Sequence, residues 1–428
     1  MQELERTKQP PFQTIDKINI LKAKEQRLKN NLPFYIINAG TQDILKIDFI
    51  FSAGSWYETS PLIAAATNSM LSEGTKKLNS AQLAEKLDYY GVFLNLDINK
   101  DNASLKLYSL SKYLPQILDI VEDIIKNPIF PEKEFETLIK KSKQQFIIER
   151  AKVNTMARIK FAEVLFGKHH PYGKPVQLID YDNLTKEQLF QFHRRYYIAG
   201  NCKIIISGKI NTKIIELIEN HFGSDDWNIP AEIANKDYNI QSSKKKKYFV
   251  KKENALQAAI RIGKVLFNKR HPDFIKMQVL NTILGGFFGS RLMKNIRENK
   301  GYTYGISSLM ISLINSGYLV IVSEIGTEVC KKAVKEVYFE INKLKTELVP
   351  EEELRLVKNY MLGDLLRMFD GPFALAESFE SILEYGLDYS YFDKLIQTIK
   401  NITSEELNVL ANKYLNEESM MEIIAGEN

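Results

Sequence analysis

Cysteine and histidine are scarce in this chain. Its 428 residues include two cysteines and five histidines. Cys202 and Cys330 are too few and too far apart to make a disulfide framework, so a reducing compartment is the default expectation. No CxxC or HxxxH spacing occurs. His169 and His170 are adjacent and run straight into Pro171, His193 lies beside Arg194 and Arg195, and His221 and His271 are isolated. None of these makes a chelating pair, so the chain is not expected to bind a metal by itself. Long apolar runs are missing too. The longest, such as residues 204–206 and 319–322, are strand-sized and far below the roughly 20 residues that span a bilayer. The opening MQELERTKQPPF has no apolar centre and does not read as a secretory signal. Charge of one sign is not concentrated either. The 58 basic and 53 acidic residues leave a net charge of +5, which gives no reason to expect nucleic acid. These absences point to a cytoplasmic protein with no membrane partner.

What is present is a globular composition, 44% hydrophobic and 26% charged, at a length comfortable for two domains. Residues 1–30 read as a polar, extended arm with Pro10 and Pro11. Two strand-like runs follow at 33–38 and 44–53. Ser60 and Pro61 suggest a capped start for a helix over 62–73, ended by Gly74. A helix over 80–90 stops at Gly91. Residues 92–98 and 104–109 alternate around a polar turn and form a hairpin. Helices are expected over 114–126, 132–151 and 155–166, then an HHPYGKP loop, a helix over 184–197 and a strand over 203–207.

The chain then repeats itself. Shifting residues 185–208 by 218 lands them on 403–426 without a gap. Thr185, Glu187, Leu189, Tyr196, Ile205, Ile206 and Gly208 meet Thr403, Glu405, Leu407, Tyr414, Ile423, Ile424 and Gly426. Pro131 and Glu132 meet Pro350 and Glu351 at a shift of 219, and Ser80 and Gly91 meet Ser290 and Gly301 at 210. Several matches in one order indicate two homologous α+β half-domains, 31–222 and 248–428. Between them lies a linker, 223–247, with Pro230, Asn235 and a lysine run.

One stretch organises the second half: LGGFFGSRLMKNIRENKGYTYGISS, residues 284–308. Gly285, Gly286 and Gly289 read as a small-residue loop, and Ser290 as the cap of a short helix that buries Leu292 and Ile296. Gly301 fits a left-handed stop. Beyond it a strand would put Tyr302, Tyr304 and Ile306 on one face. Arg297 and Tyr304 then flank one tight turn. A guanidinium can hold a carbonyl or carboxylate, and a phenol can donate to a developing oxyanion. Taken alone, such a pair is more commonly a surface arginine beside a packed strand tyrosine.

This stretch closely resembles the C-terminal half-domain motif of the insulinase/pitrilysin zinc peptidases. It is most similar to their two-domain, mitochondrial-processing-peptidase-like branch. The likeness rests on Ser290-Arg291-Leu292, Ile296-Arg297-Glu298, Gly301 and Tyr304. HPYG at 170–173 and LTKEQL at 184–189 resemble the N-terminal pattern. The resemblance implies two half-domains, each a mixed, mostly antiparallel sheet with helices packed on one side, facing each other across a cavity.

Active members carry HxxEH on the first long helix of the N-terminal half, with a further Glu on a later helix. Counting back from Gly74-Thr75, those places hold Ala65, Asn68 and Ser69. Near the third ligand's place stand Gln144, Gln145 and Phe146, with Glu149 a turn beyond. The resemblance therefore implies a subunit without zinc. It would supply Arg297 and Tyr304 to the zinc site of an HxxEH-bearing homologous partner, for hydrolysis of a peptide or unfolded polypeptide. Gly285, Gly286, Phe287 and Phe288 would line the substrate cavity. The alternatives are a catalytically inactive peptidase-like scaffold and a peptide-binding clamp.

Overall fold

The repeat in the sequence is a repeat of topology. A computed structural model describes residues 18–227 and 237–427. The first half runs β1 (Lys24–Arg27), β2 (Pro33–Asn38), β3 (Ile44–Phe51), α1 (Ile63–Met70), α2 (Ser80–Tyr89), β4 (Phe93–Ile98), β5 (Ala103–Leu110), α3 (Leu114–Lys126), α4 (Glu132–Arg150), α5 (Val153–Phe166), α6 (Leu178–Asn183), α7 (Lys186–Tyr196), β6 (Cys202–Gly208) and α8 (Thr212–Phe222). The second runs β7 (Lys247–Lys251), β8 (Gln257–Leu266), α9 (Phe274–Asn281), β9 (Thr303–Leu313), β10 (Ser316–Gly326), α10 (Cys330–Thr346), α11 (Glu351–Met368), α12 (Gly371–Leu383), α13 (Ser390–Asn401), α14 (Ser404–Tyr414) and β11 (Met421–Gly426).

Among the described residues two mixed sheets form, ordered β1-β2-β6-β3-β5-β4 and β7-β11-β8-β10-β9. Without β1 the two orders are the same. In each sheet the half's last strand, β6 or β11, lies parallel to β2 or β7 and antiparallel to β3 or β8. The local signals repeat as well. Thr185 and Thr403 each close a capping box at the start of α7 and α14, satisfying N–H groups the helix leaves open. Gly91 and Gly301 both hold φ near +60° (62° and 64°).

Each sheet carries its own half's helices on one face, while the other face takes a helix from the opposite half. On β2, Phe34 and Ile36 enter the first half's core, whereas Tyr35 and Ile37 join the second half's. On β6 the same alternation separates Ile204 and Ile206 from Ile205. The covering helix there is α12, whose Phe379 ring meets Tyr35 at 5.0 Å. Reciprocally, Ala157, Phe161 and Val164 of α5 pack on Ala259, Val320 and Ile423 of the second sheet. Strands buried on both faces become continuous apolar runs, which is why residues 204–206 are all isoleucine.

Several local expectations change. The end of the expected arm is edge strand β1, paired with β2; Pro10 and Pro11 lie outside the described residues. Ser60 does not cap α1. Leu62 takes the N-cap position at φ 78° with no cap bond of its own, and the Glu58 carboxylate accepts from the Ala64 N–H at 3.2 Å. Pro230 and Asn235 lie outside the described residues, and Lys247 of the lysine run begins β7.

Candidate functional site

Gly285 and Gly286 are helical where a loop was expected. After α9 the backbone widens into a π-helical turn, Thr282–Gly286, and a second one spans Met293–Asn299. Gly285 is buried there, and a Cβ on it would lie 2.6 Å from the Ser308 backbone nitrogen, so only glycine permits that approach to β9. Gly286 is exposed in the same turn. Ser290 is buried, but its hydroxyl has no hydrogen-bond partner, so it does not cap the helix. Leu292 and Ile296 are fully buried, as their spacing requires.

The two arginines of the motif have different fates. Arg291 forms a two-pronged ion pair with Glu353 of α11, Nε to Oε1 at 3.0 Å and a terminal nitrogen to Oε2 at 2.8 Å. That arginine fastens helix to helix. The Arg297 side chain has no ion pair or hydrogen bond among the described residues. Its guanidinium lies between two rings, 4.6 Å from the Phe288 centroid and 5.5 Å from that of Tyr304. Both rings are open to solvent, Phe288 at 62% and Tyr304 at 92% exposure. Phe287 instead turns inward and stacks on Tyr360 of α11 at 4.8 Å.

Tyr304 does not share a face with Tyr302 and Ile306. A β-bulge intervenes: Thr303 pairs with Ile325 and Ile306 with Ser323, so Tyr304 and Gly305 stand opposite Glu324 alone. The Thr303 hydroxyl donates to the Glu324 carbonyl at 2.6 Å and accepts from the Gly305 N–H at 3.1 Å. The Ser323 hydroxyl donates to the Gly305 carbonyl at 2.7 Å. The extra residue resets the alternation. Ile306 and Tyr302 stay with the core, and Tyr304 is thrown out onto Arg297.

The positions of the family's zinc motif carry no metal-binding chemistry. Ala65 presents a methyl to a cleft of about 560 Å³ that also receives Glu58, Lys100 and His169. Asn68 is buried and fully occupied, its amide donating to the Asp97 carbonyl at 3.0 Å and its oxygen accepting from the Tyr197 hydroxyl at 3.1 Å. Ser69 points to solvent. On α4, Gln144 and Gln145 are exposed and Phe146 packs on Tyr181 at 5.4 Å. Glu149 is held by Gln145 and Lys152 at 2.9 and 2.6 Å. Among the described residues no group of three or more His, Cys, Asp or Glu is placed to hold a metal ion. These residues do not fit a zinc ion.

Two features had no clear sequence signal. Glu58 sits at the start of α1, and burial pushes its carboxyl up to about 7 against the pull of the Ala64 N–H and two lysines. The HPYG loop joins the halves. Tyr172 donates to Asp101, and the other Asp101 oxygen accepts from the Ile314 N–H at 3.0 Å. The spacing of HPYG marked a loop, but only the tertiary contact shows what the loop holds.

Comparison with known proteins places both halves in one family. Residues 35–165 match the model described as Insulinase (Peptidase family M16), and residues 183–361 match Peptidase M16 inactive domain. A Rickettsia felis protein named uncharacterized zinc protease is 27% identical over 402 residues, covering 90% of this chain and 93% of the relative. A Helicobacter pylori protein named non-peptidase homolog YmxG is 22% identical over 355 residues, covering 79% and 78%. The solved structure of a peptidase M16 inactive domain from Pseudomonas fluorescens superposes with a TM-score of 0.83 at 22% identity, covering 95% of this chain and 99% of that one. No described helix is long and apolar enough to cross a membrane.

Proposed function

The chain belongs to the insulinase (M16) peptidase family, and from that premise we propose that it is a peptidase-like subunit that does not hydrolyse peptides by itself and acts by binding. The observation that carries this is Asn68. The residue at the place of the family's catalytic Glu is a neutral amide, spent on tying α1 to β4 and to Tyr197. Restoring a base there would cost the fold the hydrogen bond that the Asn68 amide gives the Asp97 carbonyl. The similarity to proteins named non-peptidase homolog and inactive domain supports the same reading. The test is zinc analysis and a peptidase assay on the purified chain. About one zinc per chain together with hydrolysis that survives removal of contaminating peptidases would refute it.

A specific observation favours a second reading, in which the chain lends Arg297 and Tyr304 to a partner. A guanidinium without a counter-ion, held between two exposed rings, is suited to receive a carbonyl or carboxylate brought by another molecule. In a heterodimer with an HxxEH-bearing homologue, which would hold the zinc, Arg297 would grip the substrate carbonyl. Tyr304 would donate to the oxyanion as the carbon becomes tetrahedral. Co-expression with such a homologue, size measurement and a peptidase assay separate the two readings. Partner activity unchanged by this chain leaves the scaffold.

A further inference from the structure

Away from the Arg297 surface, a cavity of about 320 Å³ lies where the two halves meet. The C-terminal end of α4, α5 and the loop after HPYG form one wall, and β8 and β10 form the other. Its charge is unbalanced. Lys100, Arg150, Arg158, Lys174 and Arg261 line it against a single acid, Glu149, whose carboxylate is already held by Lys152 and Gln145.

The cations have few protein partners; Arg261 is half-buried, and the other four are exposed. The Arg158 side chain makes no hydrogen bond or ion pair among the described residues. Arg261 gives one terminal nitrogen to Asn154 at 2.8 Å, while its buried Nε has no acceptor. Arg150 reaches only the Val176 carbonyl, at 3.1 Å, and Lys100 the Pro171 carbonyl, at 3.5 Å. Burial holds Lys100 and Arg261 below their usual ranges; the nearby Arg158 charge adds to this, against the pull of Glu58 on Lys100 and of Glu324 on Arg261. Like charges gathered around one cavity repel, and an anion placed among them relieves that repulsion.

The rest of the wall is apolar. Ile159, Leu165 and Val176 line it beside the Tyr318 ring, and Arg150 stacks over Phe146 at 5.4 Å. A bare inorganic ion would leave this surface unused. Pockets of this size that join an apolar wall to a few fixed polar groups take small organic molecules. Planar guanidinium forks match the two oxygens of a carboxylate.

We propose that this cavity binds a carboxylate carried on an apolar body, held by Arg158 and Arg261 with the apolar part against Ile159 and Tyr318. Two sources share that chemistry, the C-terminal residue of a peptide and an alkyl carboxylate. The site does not depend on a partner subunit or on the Arg297 surface, so it stands or falls apart from the reading above.

The test is calorimetric titration of the whole chain with N-acetyl-phenylalanine, its C-terminal amide, octanoate and inorganic phosphate. Saturable binding of either carboxylate supports the proposal, and the preferred one identifies the source. Arg158→Gln, at an exposed position, should weaken that binding by about ten- to a hundredfold, the loss expected for a charge-assisted hydrogen bond. Arg261→Gln should do the same, with a melting curve to show that it is folded. No binding by either carboxylate overturns the proposal. So does an amide that binds as well as the acid, phosphate that binds as well as both, or affinity indifferent to both arginine variants.

Discussion

The Arg297 guanidinium rests 5.5 Å from the centre of the Tyr304 ring, although a helix end, a glycine stop and a strand start separate the two in sequence. The contact depends on the bulge opposite Glu324, which turns Tyr304 outward. At 92% exposure, Tyr304 contributes almost nothing to packing. Tyr304→Phe should therefore leave the melting temperature unchanged, with an effect on stability below about 0.5 kcal/mol. In a complex with an active homologue, the same change should lower kcat by about 10²–10³ with KM little altered, the usual loss for one oxyanion donor. Tyr302→Phe is the control, because Tyr302 packs on the core. Steady-state kinetics that show Tyr302 as the sensitive position, or neither tyrosine, remove the catalytic role.

Arg297→Ala should behave differently in that complex. A group that grips the ground-state peptide raises KM when lost, as well as lowering kcat/KM. Arg297→Lys should not rescue it, since an ammonium lacks the planar face that lies between Phe288 and Tyr304. Full rescue by lysine would mean that only the charge matters.

Asn68→Glu tests whether the fold accepts the family's base. The new carboxylate has no proton to give the Asp97 carbonyl, which would lose its donor. An unmet buried acceptor costs about 1–3 kcal/mol, so the urea midpoint should fall. Ala65→His, Asn68→Glu and Ser69→His together should destabilise further and still bind no stoichiometric zinc, because neutral Gln144 and Gln145 stand near the third ligand's place and Glu149 is held by Gln145 and Lys152. Tight zinc binding by the triple variant, read by metal analysis, would contradict the account of this site.

Lys46 and Asp48 form an ion pair at 3.1 Å, with both side chains fully buried beneath α12. Lys46 also reaches Glu377 at 3.4 Å, and Lys106 reaches Glu380 at 3.5 Å. The Asn102 amide donates to Glu384 at 2.6 Å, so one face of α12 is an acidic stripe laid on the first sheet. Lys46→Met leaves Asp48 without its contact cation and should cost about 3–5 kcal/mol. Adding Asp48→Leu should recover most of that loss. A double variant as unstable as the single one would show that the pair itself, and not the stranded charge, holds the halves together.

Glu58 sets a pH dependence. Its folded value of about 7 lies above the ordinary 4.5, so the folded chain keeps a proton that the unfolded chain releases between those two values. Its contribution is fully present below about pH 4.5 and is lost as pH rises towards 7. Glu58→Gln keeps an acceptor for the Ala64 N–H and removes the charge. The variant should be more stable than the natural chain at pH 8, by at most about 3 kcal/mol, and equal to it at pH 4. Melting curves at both values decide this, and a constant difference would place the titration elsewhere.

Much of this was legible in the sequence because its causes are local. The matched Thr185 and Thr403, the helix stops Gly91 and Gly301, and the paired apolar runs recur at the repeat spacing, because helix starts and stops depend on neighbours a few residues away. They exposed the two halves before any fold was in view. The replacement of HxxEH by Ala65, Asn68 and Ser69 is likewise a fact of residue identity. What only the tertiary structure decided involves residues distant in the chain. That α5 and α12 each cover the other half's sheet cannot be read from their own periodicity, since an apolar helix face does not name its partner. Nor does Asn68 announce that Tyr197 and Asp97 occupy it. The direction of Tyr304 rests on two residues standing opposite one on β10, a count that exists only once the strands are paired.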